Sequence, residues 1–349
     1  MPKLNVLHLC GSPENIFFCN LSRLYAENTI TPSGISPHWC FFTPEGSVSA
    51  GPSLDQLAPV PCFMDVLQSG TRYDLAISHM YCRAGLGEIR SQVEDECGIR
   101  LFGSSPETIK LAQRKSATKA CLSSNGVLVA PGAALSPDDS HWEVLGELGF
   151  PLIVKPDASD NSEGLSLVRS IGEFDEAVKY ARQFGPNILV EKYIAGREIR
   201  AGMLDQEGEH IHLPLMEYSV SADHPIRQFD DKLNANQGRV MKASSSIDAV
   251  CPAETEPCLR DKIERAASAA HRALGARDFS LFDFRIDQYT GEPLLLEACP
   301  YWSLSPESII SQMITAGGGD LKNAVETAII SAAGKTKEQG SSITDKSAA

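Results

Sequence analysis

Residues 281–308 read LFDFRIDQYTGEPLLLEACPYWSLSPES, with two carboxylates, Asp283 and Glu297, on either side of a short turn among apolar neighbours. QYTGE suits a three-residue hairpin loop with Gly291 in the left-handed position. Pairing Gln288 with Glu292 across that loop sets Asp283 directly opposite Glu297. Side chains alternate along a strand, so Phe282, Phe284, Ile286, Leu294 and Leu296 fall on the other face as core. Two facing carboxylates repel unless a cation lies between them or one is protonated. Oxygen ligands without accompanying His or Cys pairs suit Mg²⁺ or Mn²⁺. The spacing equally allows a solvated polar face with Arg285 neutralising both acids, and a two-residue loop would put the acids on opposite faces.

The chain around this hairpin has 349 residues, enough for two or three domains. A net charge of −14 argues against a nucleic-acid partner, which would need a basic surface. No run approaches the roughly 18 apolar residues of a membrane span. The opening MPKLNVLHLCGSPE reads as a strand and turn, with an apolar part too short for a secretory signal. Ten cysteines are scattered without a C-x-x-C pair, in a chain too large to need disulfide staples. They read as reduced thiols of a cytoplasmic protein.

The pattern is α/β in the first part and α+β in the rest. Strands at 3–10 and 73–78 alternate with helical stretches at 19–28 and 87–96. A helix over 103–126 starts at a Ser-Pro signal and stops at Asn125-Gly126. Strand, Gly-containing loop and strand follow over 150–170, then a helix over 172–185 and strands over 187–205. Further strands are expected at 210–218, 281–287 and 293–298, with helices at 257–274 and 320–334. The reading divides the chain into residues 1–113, 114–190 and 191–335, with a polar tail over 336–349.

No G-x-x-x-x-G-K-[ST] occurs, so a P-loop is excluded. Lys155 ends the apolar run PLIVKP, which buries its stem and aims its ammonium into a cleft. DASDNSEGLS follows, short and polar and containing Gly164, and suits a mobile loop whose amides cover phosphates. LVEKYIAGREIR carries Glu191 and Glu198 around Gly196, where acids could accept from an adenine amino group or ribose hydroxyls. Taken singly, each of these residues, like Lys115 and Lys232, reads as surface.

Taken in order, Lys115, IVKP, DNSEG, VEKYIAGRE, DDKL and LFDFRID…LLLEA resemble the ATP-grasp superfamily, in its D-alanine–D-alanine ligase-like branch. The resemblance implies a three-domain ATP-grasp fold with ATP between the central and C-terminal lobes. It implies that Lys115 and Lys155 contact phosphates under a loop containing Asn161, Ser162 and Gly164. Glu191, Lys192, Tyr193 and Ile194 would line the adenine pocket, Glu198 would hold the ribose, and Lys232 would reach the terminal phosphates. Asp283 and Glu297 would carry Mg²⁺, Lys155, Lys232 and Arg285 would serve catalysis, and a homodimer is implied.

Two positions depart from dipeptide ligases. Those enzymes carry an arginine two residues before the first acid and an asparagine two after the second, where this chain has Leu281 and Cys299. The start of the chain, DNSEGLSLV and ALGARDFSLFDFRID resemble more narrowly the D-Ala–D-Ala ligase-like enzymes of mycosporine-like amino acid biosynthesis. That resemblance implies condensation of serine, threonine or glycine onto mycosporine-glycine, giving an imino-mycosporine sunscreen of the shinorine or porphyra-334 type. Candidate substrate contacts are Glu14, His79, Arg83, Ser303 and Ser305, with Arg227, Arg239 and Arg285 as further cations. His210 and His212 alternate on one strand face with no third ligand nearby in sequence, and read as structural.

Overall fold

A computed structural model describes residues 3–140, 142–159, 162–206, 209–228 and 248–344, and their strands form three sheets. The first holds β1 (Leu4–Gly11), β2 (Ile35–Phe42), β3 (Val48–Gly51), β4 (Ala58–Val60) and β5 (Leu75–Ser78), in the order β4-β3-β2-β1-β5. β1 is parallel to both neighbours and buried from Val6 onward, as an apolar run between covered faces should be. Asn15 caps the crossover helix Ile16–Glu27 by accepting from the Phe18 N–H.

The second sheet contains β6 (Gly132–Leu135), β7 (Leu152–Pro156), β8 (Ser166–Val168) and β9 (Ile188–Lys192), all antiparallel, in the order β6-β9-β7-β8. Phe174, Ala177 and Ala181 recur at helical spacing on Ile171–Arg182 and cover it. The third contains β10 (Gly196–Gln206), β11 (Glu209–His212), β12 (Met216–Tyr218), β13 (Ala249–Val250), β14 (Phe279–Asp287) and β15 (Pro293–Ala298), with β10 against β14 at its centre. Ile263, Ala267 and Ala270 of the helix Pro257–Ala273 pack on Phe282, Phe284, Ile286 and Leu295.

The hairpin pairs Asp283 with Glu297 as expected, but by a different route. The Asp287 N–H donates to Glu292 O, so the loop is Gln288–Gly291, one residue longer than the sequence reading, with Gly291 at φ +68°. Near the turn Ile286 faces Pro293 and Phe284 faces Leu295. A register shift between Asp283 and Phe284 leaves Leu296 as an extra residue on β15, a β-bulge that restores the Asp283–Glu297 pairing. The bulge also corrects the core assignment: Leu295 is buried, whereas Leu296 lines a cleft.

Two other elements differ from the reading. The single helix over 103–126 is two, Pro106–Ala112 and Lys115–Ser124, because Arg114 is extended. The Lys115 N–H donates to Asp157 O at 2.9 Å and the Ser116 N–H to Asp157 Oδ1 at 2.7 Å, so an acid from the loop after β7 holds the second helix by its positive end. The strand over 210–218 divides around Pro214, which has no N–H for a ladder. The last helix, Leu321–Thr344, continues into the stretch read as a tail.

Gly196 connects β9 to β10 at φ +140°, and a Cβ there would lie 1.9 Å from Ile286 O. Gly196→Ala should destabilise the protein by about 2 kcal/mol or more, read as a lower urea midpoint; an unchanged midpoint would show that the strand crossing tolerates the displacement.

Candidate active site

An open cleft lies where the second and third sheets meet, enclosing about 750 Å³ with the solvent at its mouth included. Lys115, Lys155, Ser162, Glu191, Lys192, Tyr193, Ile194, Glu198, Asp283, Arg285 and Glu297, all expected site residues, line it together. Gly164 does not line it. At φ +70° it packs the loop against Pro156 and Phe184, either of which a Cβ would approach within 2.8 Å. Asn161, Lys232 and Arg239 lie outside the described residues.

At the β7–β9 end, Glu191 sits between two ammonium groups, accepting from Lys155 Nζ at 2.5 Å and pairing with Lys119 Nζ at 2.7 Å. All three side chains are buried. Burial penalises the Glu191 carboxylate, but Lys119 and Lys155 together outweigh that and hold its pKa below the ordinary value. Burial lowers the pKa of Lys119, with Glu191 opposing and the like charge of Lys155 adding to the fall. The trio has one cation more than it has carboxylates, a surplus suited to an entering anion.

Across the cleft, β10 and β14 build a second charged ladder. Glu198 stands opposite Arg285 and Arg200 opposite Asp283. Arg285 donates to Glu198 Oε2 at 2.8 Å, and Arg200 chelates both Asp283 oxygens, one at 2.6 Å. Arg227 joins both rungs, bonding Glu198 Oε1 and reaching Asp283 Oδ2 at 3.2 Å, with its guanidinium 3.8 Å from the Tyr218 ring centre. Burial works against the Arg200 cation, but Asp283 more than offsets it and holds the pKa well above the ordinary value. Burial and Glu198, with Asp283 assisting, act in the same opposed way on Arg227, whose pKa is raised.

The two facing acids therefore do not share Arg285, whose described carboxylate partner is Glu198. Lys115 lies 3.2 Å from Glu297, while Arg200 and Arg227 hold Asp283. Oxygens of Asp283 and Glu297 and the Cys299 sulfur fall within 4.8 Å of one another. The two carboxylates suit a hard divalent ion, and the thiol beside them does not.

Other expected residues have structural occupations. The Lys192 ammonium donates to Leu148, Gly149 and Phe150 carbonyls at 2.9–3.2 Å, which commits its charge to a helix end. Glu14 accepts from the Ala84 N–H at 2.6 Å, capping the short helix that begins at exposed Arg83. His79, readable from the sequence either as facing a substrate or as structural, is fully buried, bonded to His8 at 3.0 Å and stacked on Trp39, as the structural reading has it. Burial pushes its pKa down to about 4. Ser303 and Ser305 are buried and turn on each other, the Ser305 N–H donating to Ser303 Oγ. None of these last five lines the cleft.

Sequence reasoning passed over Lys119, Arg200 and Asp157. Lys119 lies four residues after Lys115 on one helical face, and Arg200 two after Glu198 on one strand face, so both periodicities were available. Asp157 offered no comparable signal.

A nucleotide-sized cleft between two antiparallel sheets, with lysines on one wall and a carboxylate hairpin on the other, defines an ATP-grasp fold. D-alanine–D-alanine ligase from Coxiella burnetii has this fold at a TM-score of 0.77 and 18% identity, covering 100% of this chain and 99% of that one. The Bacillus anthracis enzyme complexed with ATP matches at 0.71 and 18%, over 96% and 99%. In sequence, D-alanine–D-alanine ligase from Geobacter sulfurreducens is 30% identical over 246 residues, 70% of this chain and 72% of that protein. The family described as D-ala D-ala ligase C-terminus matches residues 126–330. The chain belongs to the D-alanine–D-alanine ligase family and is an ATP-dependent, ADP-forming carbon–nitrogen ligase.

Removing the charge of Glu191 leaves two ammoniums buried together, so Glu191→Gln should cost about 3–5 kcal/mol in urea denaturation. Because the folded pKa of Glu191 is lowered, its contribution is complete above the ordinary value of 4.5 and is lost as pH falls through the lower folded value. A variant matching the wild type at pH 7 would contradict this role for the trio.

Proposed function

We propose that the chain phosphorylates the ring carbonyl oxygen of mycosporine-glycine with ATP and replaces that oxygen by the amine of an amino acid, giving an imino-mycosporine. The carbonyl oxygen attacks the terminal phosphorus and ADP leaves. The amine then adds to the ring carbon, phosphate departs with the former carbonyl oxygen, and loss of a proton leaves C=N. Lys155 and Lys115 neutralise the phosphates, and Glu191 to Ile194 receive the adenine. Glu198 faces the ribose while Arg227 and Arg285 hold its carboxylate in place. Asp283 and Glu297 would hold Mg²⁺, which when bound neutralises charge spreading over the transferring phosphoryl group. The loop before Leu165 closes the cleft against water. Serine, threonine or glycine is the expected amine donor, and ten free thiols fit the reducing cytoplasm.

One observation carries the choice of acceptor. Leu281, where dipeptide ligases have an arginine, is buried in an apolar cluster with Phe279, Trp302 and Met313, and Cys299 packs against the same cluster. That wall suits a ring better than the oxyanion of an acyl phosphate. A second reading, condensation of two amino acids through an acyl phosphate, is favoured by relatives such as those of Maridesulfovibrio salexigens and Geobacter sulfurreducens, which carry the name D-alanine–D-alanine ligase. The readings separate in one assay. ADP release requiring both mycosporine-glycine and serine, threonine or glycine, with red-shifted absorbance, is expected; release with two amino acids alone selects the dipeptide reading.

Glu297→Gln should lower kcat by about 100-fold or more while weakening ATP binding far less. Unaffected turnover would remove Glu297 from the reaction.

A further inference from the structure

Asp205, His210 and His271 meet at the far end of β10, away from the cleft. We propose that they form a binding site for a transition-metal ion of the Zn²⁺ or Co²⁺ class, distinct from the Asp283–Glu297 pair.

Their ligand atoms lie within 4.8 Å of one another. Asp205 Oδ1 is 2.6 Å from His210 Nδ1 and 3.5 Å from His271 Nε2. Ligand atoms around tetrahedral zinc, with bonds of about 2.0–2.1 Å, stand roughly 3.3 Å apart. The three groups therefore need only small movements to enclose an ion.

The His271 ring supplies the independent observation. It is 2% exposed, and its Nε2 is a buried polar atom without a hydrogen-bond partner among the described residues. Buried polar atoms are rarely left so. Its Nδ1 lies 2.8 Å from Ser280 Oγ, and Nε2 faces Asp205 Oδ1 at 3.5 Å, so a ring donating its Nδ1–H to Ser280 would offer the Nε2 lone pair to an ion held beside Asp205. A second group fixing the ring in this way is the usual support of a metal-binding histidine. Asp205 is held likewise, its Oδ2 accepting the Asp278 N–H at 3.0 Å and leaving Oδ1 toward both rings.

His210 completes the geometry from the β11 side of the hairpin and is 39% exposed, which leaves a path to solvent and a fourth position for water. Two imidazoles and one carboxylate select Zn²⁺, Co²⁺ or Ni²⁺ over Mg²⁺, which prefers oxygen. The competing cation is Lys335, 3.7 Å from Asp205 Oδ2 and one-third exposed, able to swing into solvent. Asp205 lies five positions along β10 from Arg200, about 17 Å, so the site does not overlap the cleft.

The test is titration of the chelator-stripped full chain with Co²⁺, without nucleotide, followed by visible d–d absorption and by displacement with Zn²⁺. A low-coordinate Co²⁺ spectrum that Zn²⁺ bleaches is expected. His210→Ala, at an exposed position, should weaken Co²⁺ binding about 10- to 100-fold, and His271→Gln at least as much. Cys299→Ser and Glu297→Gln should leave the affinity unchanged. No spectrum, or equal affinity in His210→Ala, overturns the site; loss in Cys299→Ser or Glu297→Gln instead assigns the ion to the hairpin and likewise overturns it.

Discussion

Glu198 faces Arg285 and Arg200 faces Asp283 across the β10–β14 ladder, and the cleft is organised around these two rungs. Opposite charges directly across an antiparallel pair stabilise it, whereas a one-residue slip of either strand would carry its two charges into the apolar layer behind. That layer, Ile199, Ala201, Phe282, Phe284 and Ile286, is packed under the helix Pro257–Ala273 and forbids the slip. Burial on one face thus fixes the register, and the register sets each acid beside its cation. Arg227 then ties the rungs to the segment carrying Ile226, and its carbonyl accepts from Ser162 Oγ at 2.8 Å. Ser162 is thereby anchored to the ladder rather than merely near it.

The opposite wall has the same logic with different residues. Asp157 receives the start of the helix carrying Lys115 and Lys119, one turn apart, and β7 supplies Lys155 beside them. Glu191 from β9 lies between two of these lysines. Three segments must meet to build this wall: the helix Lys115–Ser124, β7 with Asp157 directly after it, and β9.

Local pattern made much of this legible. Lys155 at the end of an apolar run, the Glu191–Glu198 spacing and the facing acids each follow from strand periodicity, and all reach the cleft. The hairpin pairing came from a loop one residue too short offset by an unforeseen bulge, since a bulge has no signature in alternation alone. His79 shows the opposite limit. Its position at a strand end was visible, but the Trp39 and His8 rings that cover it come from two other strands. The partners of His210 were hidden for the same reason: Asp205 stands across a hairpin and His271 on a helix about sixty residues on, joined only by the fold.

Leu281 lies on the same face of β14 as Asp283 and Arg285, one alternation further from the turn. Opposite it stands Gly202, where a Cβ would come within 2.7–3.3 Å of Met313, Leu213 and Leu281. The charged face therefore ends abruptly at Asp283 against a wall with no room for another side chain. An arginine at position 281 would have its stem in that cluster, and a guanidinium left there unpaired would carry a desolvation cost of several kcal/mol. Along this face of β14 the described charges thus stop at Asp283, and the apolar cluster around Leu281 begins one alternation later.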